Sequence, residues 1–194
     1  MARQIEKRSP ASYLDVEAAP DHVVAELIDG VLYTSPRPGA RHSLTSLRLG
    51  ADLDGPFGRA KGGPGGWVIL IEPELVLPGG HLLVPDLAGW RYERLPVLPD
   101  KTPIEVVPDW VCEVLSPSNK SHDRKRKLPK YAASGIPWLW LVDPDERMLE
   151  VYQLEGDRWT AVDVFEEEDG KIRVKPFDAV ELDLQTLWAP PSRS

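Results

Sequence analysis

The sequence predicts one α/β domain with a mixed central β-sheet flanked by helices. Two observations carry that expectation. Apolar residues make up 42% of the 194 residues, enough to bury a core of ordinary size. The patterned segments run in the order helix, strands, helix, strand, which suits a layered fold better than an all-helical or all-β one.

The elements are read in chain order. Residues 1–20 are polar, end in Ala18-Ala19-Pro20, and read as a variable lead-in or a short helix. Ala25–Tyr33 reads as a β-hairpin, because Asp29-Gly30 supplies a tight turn between apolar flanks. Arg41–Leu53 places Leu44, Leu47, Leu49 and Leu53 at helical spacing. Gly55–Gly66 is a Gly/Pro-rich loop. A long strand pair follows, out through Trp67–Ile71 and Leu75–Leu77 and back through Leu82–Trp90, turned by Gly79-Gly80. Residues 92–108 form a proline-punctuated loop. Trp110–Leu115 is a buried strand, ended by Ser116-Pro117-Ser118-Asn119, which can cap a helix from about Ser121 to Ser134 that stops at Gly135. Trp138–Val142 is another buried strand and Met148–Leu154 a further one. Asp157–Leu187 reads as more β structure, an edge hairpin. The chain divides into a lead-in over 1–20, a main domain over 21–155, and a C-terminal β extension of the same domain over 156–194.

Composition excludes several classes. The longest apolar runs, Trp67–Ile71 and Ile136–Val142, are far too short to span a bilayer. Residues 1–10 are charged and no apolar stretch follows, unlike a secretory leader. The lone Cys112 permits neither an intrachain disulfide nor a cysteine-based zinc site. The expected home is a reducing cytoplasm, with no membrane partner. The net charge is −8, which alone argues against nucleic acid. Yet residues 120–130 hold six Lys/Arg and one acid, leaving 17 basic and 30 acidic residues elsewhere. That segment is either a solvated helix face or a contact for an anionic substrate.

Two acids stand inside apolar strands. Asp86 lies between Leu82-Leu83-Val84-Pro85 and Leu87-Ala88, and Glu113 within Trp110–Leu115. A buried carboxylate is costly unless it is paired or binds a cation. On neighbouring strands the two could share a Mg²⁺ (or Mn²⁺), which takes one or two carboxylates, water and phosphate oxygens. Such an ion activates water and stabilises charge on a phosphodiester. The plainer alternative is that both make ordinary hydrogen bonds at strand ends. Cys112 alternates away from Glu113 and reads as a small buried hydrophobe. Trp90 and Trp138 are read as core rather than as base-stacking platforms.

Pro85-Asp86, then Glu113 in a strand, then a Lys, resembles the PD-(D/E)XK nuclease signature. The fuller series is Glu26-Leu27-Ile28-Asp29-Gly30, His42, Pro85-Asp86, Glu113–Ser118, Asp123, Lys127, Tyr131 and Trp140–Pro144. In order and spacing it resembles the Uma2 family of restriction endonuclease-like proteins, over residues 22–155. The resemblance implies a restriction-endonuclease-like core and metal-dependent hydrolysis of DNA. It implies Asp86 and Glu113 as metal ligands and Glu26 as a third acid. The superfamily pattern puts Lys two residues after the second acid, where this chain has Leu115. The resemblance implies that the Lys has moved to the next helix, and Lys127 matches. Asp123, Lys127 and Tyr131 share one helical stripe, from which Lys127 could position a water or offset transition-state charge. Against this stands a surface Lys127 paired with Asp123. His42, expected on the polar side of the first helix, could carry a proton or touch a phosphate. Arg124, Lys125 and Lys130 could touch phosphates, or be merely solvated. Pro129 falls inside the predicted helix, where it kinks the axis between Lys127 and Tyr131.

The leading expectation is therefore a Mg²⁺-dependent DNA endonuclease, with a homodimer expected because a double-strand cut needs two sites. A catalytically inactive binding or regulatory module on the same scaffold is the second, favoured by the acidic charge and Pro129. A nuclease for RNA or branched nucleic acid is the third.

Overall fold

The computed structural model describes residues 3–5, 10–100, 103–117 and 119–190, with only the backbone of Ile5 described. Ser118, part of the predicted cap, lies outside these residues. The lead-in contributes a strand, β1 (Arg3–Ile5), and a short helix, α1 (Tyr13–Glu17). The hairpin forms as expected from β2 (Val23–Ile28) and β3 (Val31–Pro36). Its turn residues Asp29 and Gly30 have φ of 53° and 71°, the left-handed pair of a type I′ turn that matches strand twist. Helix α2 (Ala40–Leu53) follows. The loop expected from residue 55 begins instead as a π-helical turn over Asp54–Gly58 that prolongs α2.

The expected strand pair forms, but it is cut in two. Its strands are β4 (Trp67–Ile71), β5 (Leu75–Leu77), β6 (His81–Leu83) and β7 (Leu87–Arg91). β5 and β6 pair and join one sheet, while β4 and β7 pair and join another. The breaks are local chemistry. Glu72 has φ 47° ahead of Pro73, and Pro85 lacks the N–H a central strand needs. Glu72 N–H donates to Asp86 O at 3.0 Å, so the two arms stay together where they change sheets. Asp86 stands at that crossing.

The remaining strands are β8 (Trp110–Val114), β9 (Trp138–Asp143), β10 (Met148–Glu155), β11 (Arg158–Glu166), β12 (Lys171–Ile172) and β13 (Leu182–Asp183). Among the described residues they complete a six-stranded sheet, β11-β10-β9-β8-β7-β4, facing a five-stranded one, β1-β3-β2-β6-β5, with β12 and β13 as a small pair. The six-stranded sheet is mixed, as expected: β8 and β9 run parallel and its other pairings are antiparallel. A parallel pair needs a crossover, and the helical segment after β8 supplies it. The second sheet was not anticipated, because it recruits the lead-in and the outer halves of the strand pair.

β8 is buried on both faces. Trp110, Cys112 and Val114 enter a core with Trp67, Trp140 and Phe177. Val111 and Leu115 face the opposite core with Trp90, Tyr131 and Leu139. Each fully buried indole removes roughly 200 Å² from water, an upper bound of about 5 kcal/mol apiece. Alternation therefore points Glu113 the opposite way from Cys112, into the space between the two sheets.

The crossover segment consists of α3 (Lys120–His122), a π turn over Asp123–Lys127, and α4 (Leu128–Ala133). Leu128 N–H donates to Asp123 O, an i to i+5 bond. This widened turn accommodates Pro129, which falls in the first turn of α4, where a missing N–H is tolerated. The helix ends at Ser134, before Gly135 at φ 75°.

Candidate active site

Between the sheets lies a cavity of about 260 Å³, with Glu26, His42, Asp86, Glu113, Asp123 and Lys127 in its wall. These residues span 102 positions of sequence and five parts of the fold. β2 brings Glu26, α2 brings His42, the sheet crossing brings Asp86, β8 brings Glu113, and the π turn brings Asp123 and Lys127. Glu26, His42, Glu113, Asp123 and Lys127 are all buried.

Each carboxylate has defined partners. Asp86 Oδ2 accepts the Val114 N–H at 2.7 Å, and Asp86 Oδ1 lies 3.0 Å from His42 Nε2. Glu113 Oε1 accepts from the Tyr131 hydroxyl at 2.5 Å and lies 2.7 Å from Lys127 Nζ. Glu26 Oε1 accepts the Val84 N–H at 2.9 Å and lies 3.1 Å from Lys127 Nζ. Glu26 Oε2 is 3.4 Å from His122 Nε2. Lys127 also donates to Val84 O at 2.9 Å and stands 3.9 Å from Asp123 Oδ1.

Three carboxylates thus crowd one ammonium, with Asp86 in the same cavity wall, and the proton affinities of the three record it. Burial pushes the Glu113 carboxyl well above its usual range; Lys127 opposes this, but Asp123, Asp86 and Glu26 add to it. Asp123 is likewise raised to about 6 by burial and by Glu26 and Asp86, against the pull of Lys127. Glu26 goes the other way. Burial would raise it, but Lys127, His122 and the Val84 N–H together bring it down to about 2. Burial would strip Lys127 of its proton, yet Glu113 and Glu26 hold it on and raise its pKa well above normal. For His42, burial is outweighed by Asp86, so the imidazole binds its proton more tightly than usual.

His42 is the one placement that needs correcting. It lies on the buried face of α2 with Thr45, Ser46, Leu49 and Leu53, whereas Leu47 is 59% exposed. The leucine pattern misplaced the polar side because the inward face of this helix is itself partly polar. Arg124 pairs with Glu150, and Lys130 pairs with Asp29 at 2.6 Å. Lys125 is exposed, and none of the three lines the cavity. Trp90 lies in the core, its indole N–H donating to Val106 O.

Sequence reasoning missed His122, the site role of Asp123 and Tyr131, and Arg37. Arg37 stands at the cavity mouth, 3.3 Å from Glu72 Oε2. Its one signal was the Pro36-Arg37-Pro38-Gly39 stretch, which fixes a side chain between β3 and α2.

The sequence profile described as "Uma2: Putative restriction endonuclease" matches residues 10–185. The chain belongs to the Uma2 family. A solved structure agrees: the crystal structure of a "putative nuclease belonging to DUF820" from Anabaena variabilis matches with a TM-score of 0.72 and 22% identity, over 92% of this chain and 98% of that one. The fold of this Uma2 chain is thus restriction-endonuclease-like. No curated protein matches it. No helix among the described residues is long and apolar enough to cross a membrane.

Among the described residues, no three His, Cys, Asp or Glu side chains converge into a complete metal cage. A hard divalent cation does not need one, since Mg²⁺ usually keeps several waters and takes one or two carboxylates. The donor chemistry of this Uma2 site fits such an ion. Asp86, from the sheet crossing just before β7, and Glu113, from β8, present hard oxygen donors to one cavity, and the cluster holds more carboxylate than its one Lys can balance.

Proposed function

We propose that this protein is a Mg²⁺-dependent endonuclease that hydrolyses phosphodiester bonds in DNA, with Mn²⁺ able to substitute. The observation that carries the reading is the buried excess of carboxylate around Lys127, an arrangement that costs stability unless a cation is its purpose. Asp86 and Glu113 would hold the ion and Glu26 would complete its surroundings. The metal supplies Lewis acidity toward a phosphoryl oxygen and lowers the pKa of a water. Lys127 contributes a fixed positive charge that offsets the charge gathered in the transition state. Tyr131 fixes Glu113 through its hydroxyl, and His42 fixes Asp86 through Nε2. Arg37, at the mouth, is placed to take a phosphate on entry. Two copies acting together would cut both strands of a duplex.

The test is incubation with single-stranded, duplex and branched DNA and with RNA, in Mg²⁺, Mn²⁺ or chelator. Metal-dependent cutting of DNA that disappears in Asp86→Asn is the expected result. Cutting of RNA alone would replace the substrate assignment. No cutting by a protein that binds metal would favour a binding or regulatory module.

A further inference from the structure

One ion pair spans the mouth of the cavity. Arg37, in the connector between β3 and α2, brings Nη1 to 3.3 Å from Oε2 of Glu72, in the connector between β4 and β5. Both side chains line the cavity and both reach solvent, at 54% and 34% exposure. The rest of the guanidinium is fixed, since Nε and Nη2 donate to Asp21 O at 3.4 and 3.2 Å. Nη1 is thus the arm whose partner can be exchanged while the others hold Arg37 in place. A surface pair of this kind is weak, so it can open.

Glu72 holds its side of the pair from a strained backbone. Its φ is 47°, a conformation that glycine takes without penalty and an L-residue does not. What glycine would lack there is the carboxylate that meets Arg37. Outside the pair lies a second hollow, lined by Glu17, Asp21 and Glu74 together with Arg37 and Glu72, so a polyanion approaching from this side meets four acids and one base. Inside, the side chains of Glu26 and Lys127 are 5% exposed and that of Glu113 2%, so a scissile phosphate has to descend into the cavity to reach them. At about 260 Å³ the cavity is the size of the smallest ligand pockets, which start at about 300 Å³, with room for one nucleotide and none for a duplex. On its wall the Asn119 side-chain oxygen lies buried without a hydrogen-bond partner among the described residues, an acceptor that a base or sugar can satisfy.

We propose that the Arg37–Glu72 pair is the specificity element of this site: it narrows the mouth so that a DNA strand enters only where it is unpaired, a phosphate of that strand replacing Glu72 on Arg37 Nη1. The inference rests on the nuclease reading above and narrows its substrate to a strand locally free of its complement. Two physical terms favour such a strand. It can swing one nucleotide out of line and into the cavity, whereas a paired strand must first be unstacked. It also brings fewer charges to the acidic rim, since duplex DNA carries one negative charge per about 1.7 Å, twice the density of either strand. Glu72 repels the phosphates and holds Arg37 until one of them takes its place.

The test is fluorescence anisotropy of the full chain in Ca²⁺ with three labelled DNA probes: a single strand, its perfect duplex, and the same duplex with a central unpaired bubble. The wild type is expected to bind the single strand and the bubble roughly tenfold or more tighter than the duplex, the cost of unpairing a nucleotide. Glu72→Gly keeps the positive φ and removes the carboxylate, and should gain duplex binding and lose most of that preference. Glu72→Asn, a shorter neutral residue that also tolerates positive φ, should behave alike. Both relieve strain, so both should melt no lower than the wild type, which separates a lost preference from a damaged fold. Equal binding of duplex and single strand by the wild type would overturn the proposal and leave the nuclease reading standing. A preference that both variants retain in full would overturn the assignment to Glu72. No binding of any probe by the folded wild type would overturn the nuclease reading, and this proposal with it.

Discussion

Replacing Tyr131 by Phe removes one oxygen from the interior and changes nothing else in shape. The phenol is fully buried and its hydroxyl donates to Glu113 Oε1 at 2.5 Å. Losing one partner of a buried hydrogen bond costs about 1–3 kcal/mol. For a chain of this length each kcal/mol lowers the melting temperature by about 2–4 °C, so the variant should melt about 2–12 °C lower. The stability loss alone would suit any buried tyrosine. The functional reading adds a second consequence, because groups that orient metal ligands are worth about 10–100-fold in metal affinity. Mn²⁺ titration of folded Tyr131→Phe at 15 °C should show that loss, while the stoichiometry stays as in the wild type. A variant that melts lower but binds Mn²⁺ with unchanged affinity would refute the claim that Tyr131 positions Glu113 for a metal.

Three further outcomes follow from the geometry. Glu26 has its pKa depressed from 4.5 to about 2, so its stabilising charge is fully present above the unfolded value and fades as pH falls toward 2. Glu26→Gln should therefore be less stable than wild type at pH 7 by about 3 kcal/mol, with the gap closing between pH 4.5 and 2; a gap constant with pH in urea denaturation would contradict the ion pair with Lys127. Gly30→Ala puts a Cβ at φ 71° and 3.3 Å from Pro10 Cβ, and should cost about 1 kcal/mol or more in thermal unfolding; a neutral result would mean the turn is not type I′. Arg37→Ala should weaken nucleic-acid binding in Ca²⁺ and reduce the salt slope by about 1, and an unchanged slope would remove Arg37 from the phosphate path.

Much of the fold was legible because local chemistry decided it. Asp29-Gly30 can hardly be anything but a tight turn, and Trp110–Val114 and Trp138–Asp143 are too apolar to lie outside a core. The second sheet was not legible. Its existence depends on where one strand pair breaks, at Glu72-Pro73 and Pro85, and a proline alone does not say which sheet each half will join. Within the site, Asp86 and Glu113 stood out as acids in apolar strands. Lys127 was found only through the family pattern, since its own neighbours, Arg126 and Lys125, read as a solvated basic run. The π turn explains why one residue of that run is buried while the adjacent ones are exposed. His122 and Arg37 carried no signal of this kind, because each becomes informative only when residues 76 or more positions away, Glu26 for one and Glu113 for the other, are brought around the same cavity. His42 was drawn to the wrong face because leucines were counted as the inward side of a helix that packs on a polar site.

The most direct test of the central claim is calorimetric titration of Mg²⁺ and Mn²⁺ into the wild type and into Glu113→Ala, with folding of both checked by circular dichroism. The account predicts binding by the wild type that is lost in the variant, since the ion is held between Asp86 and Glu113. Absence of binding in the folded wild type, with DNA as well as without it, would contradict a metal centre at this cavity.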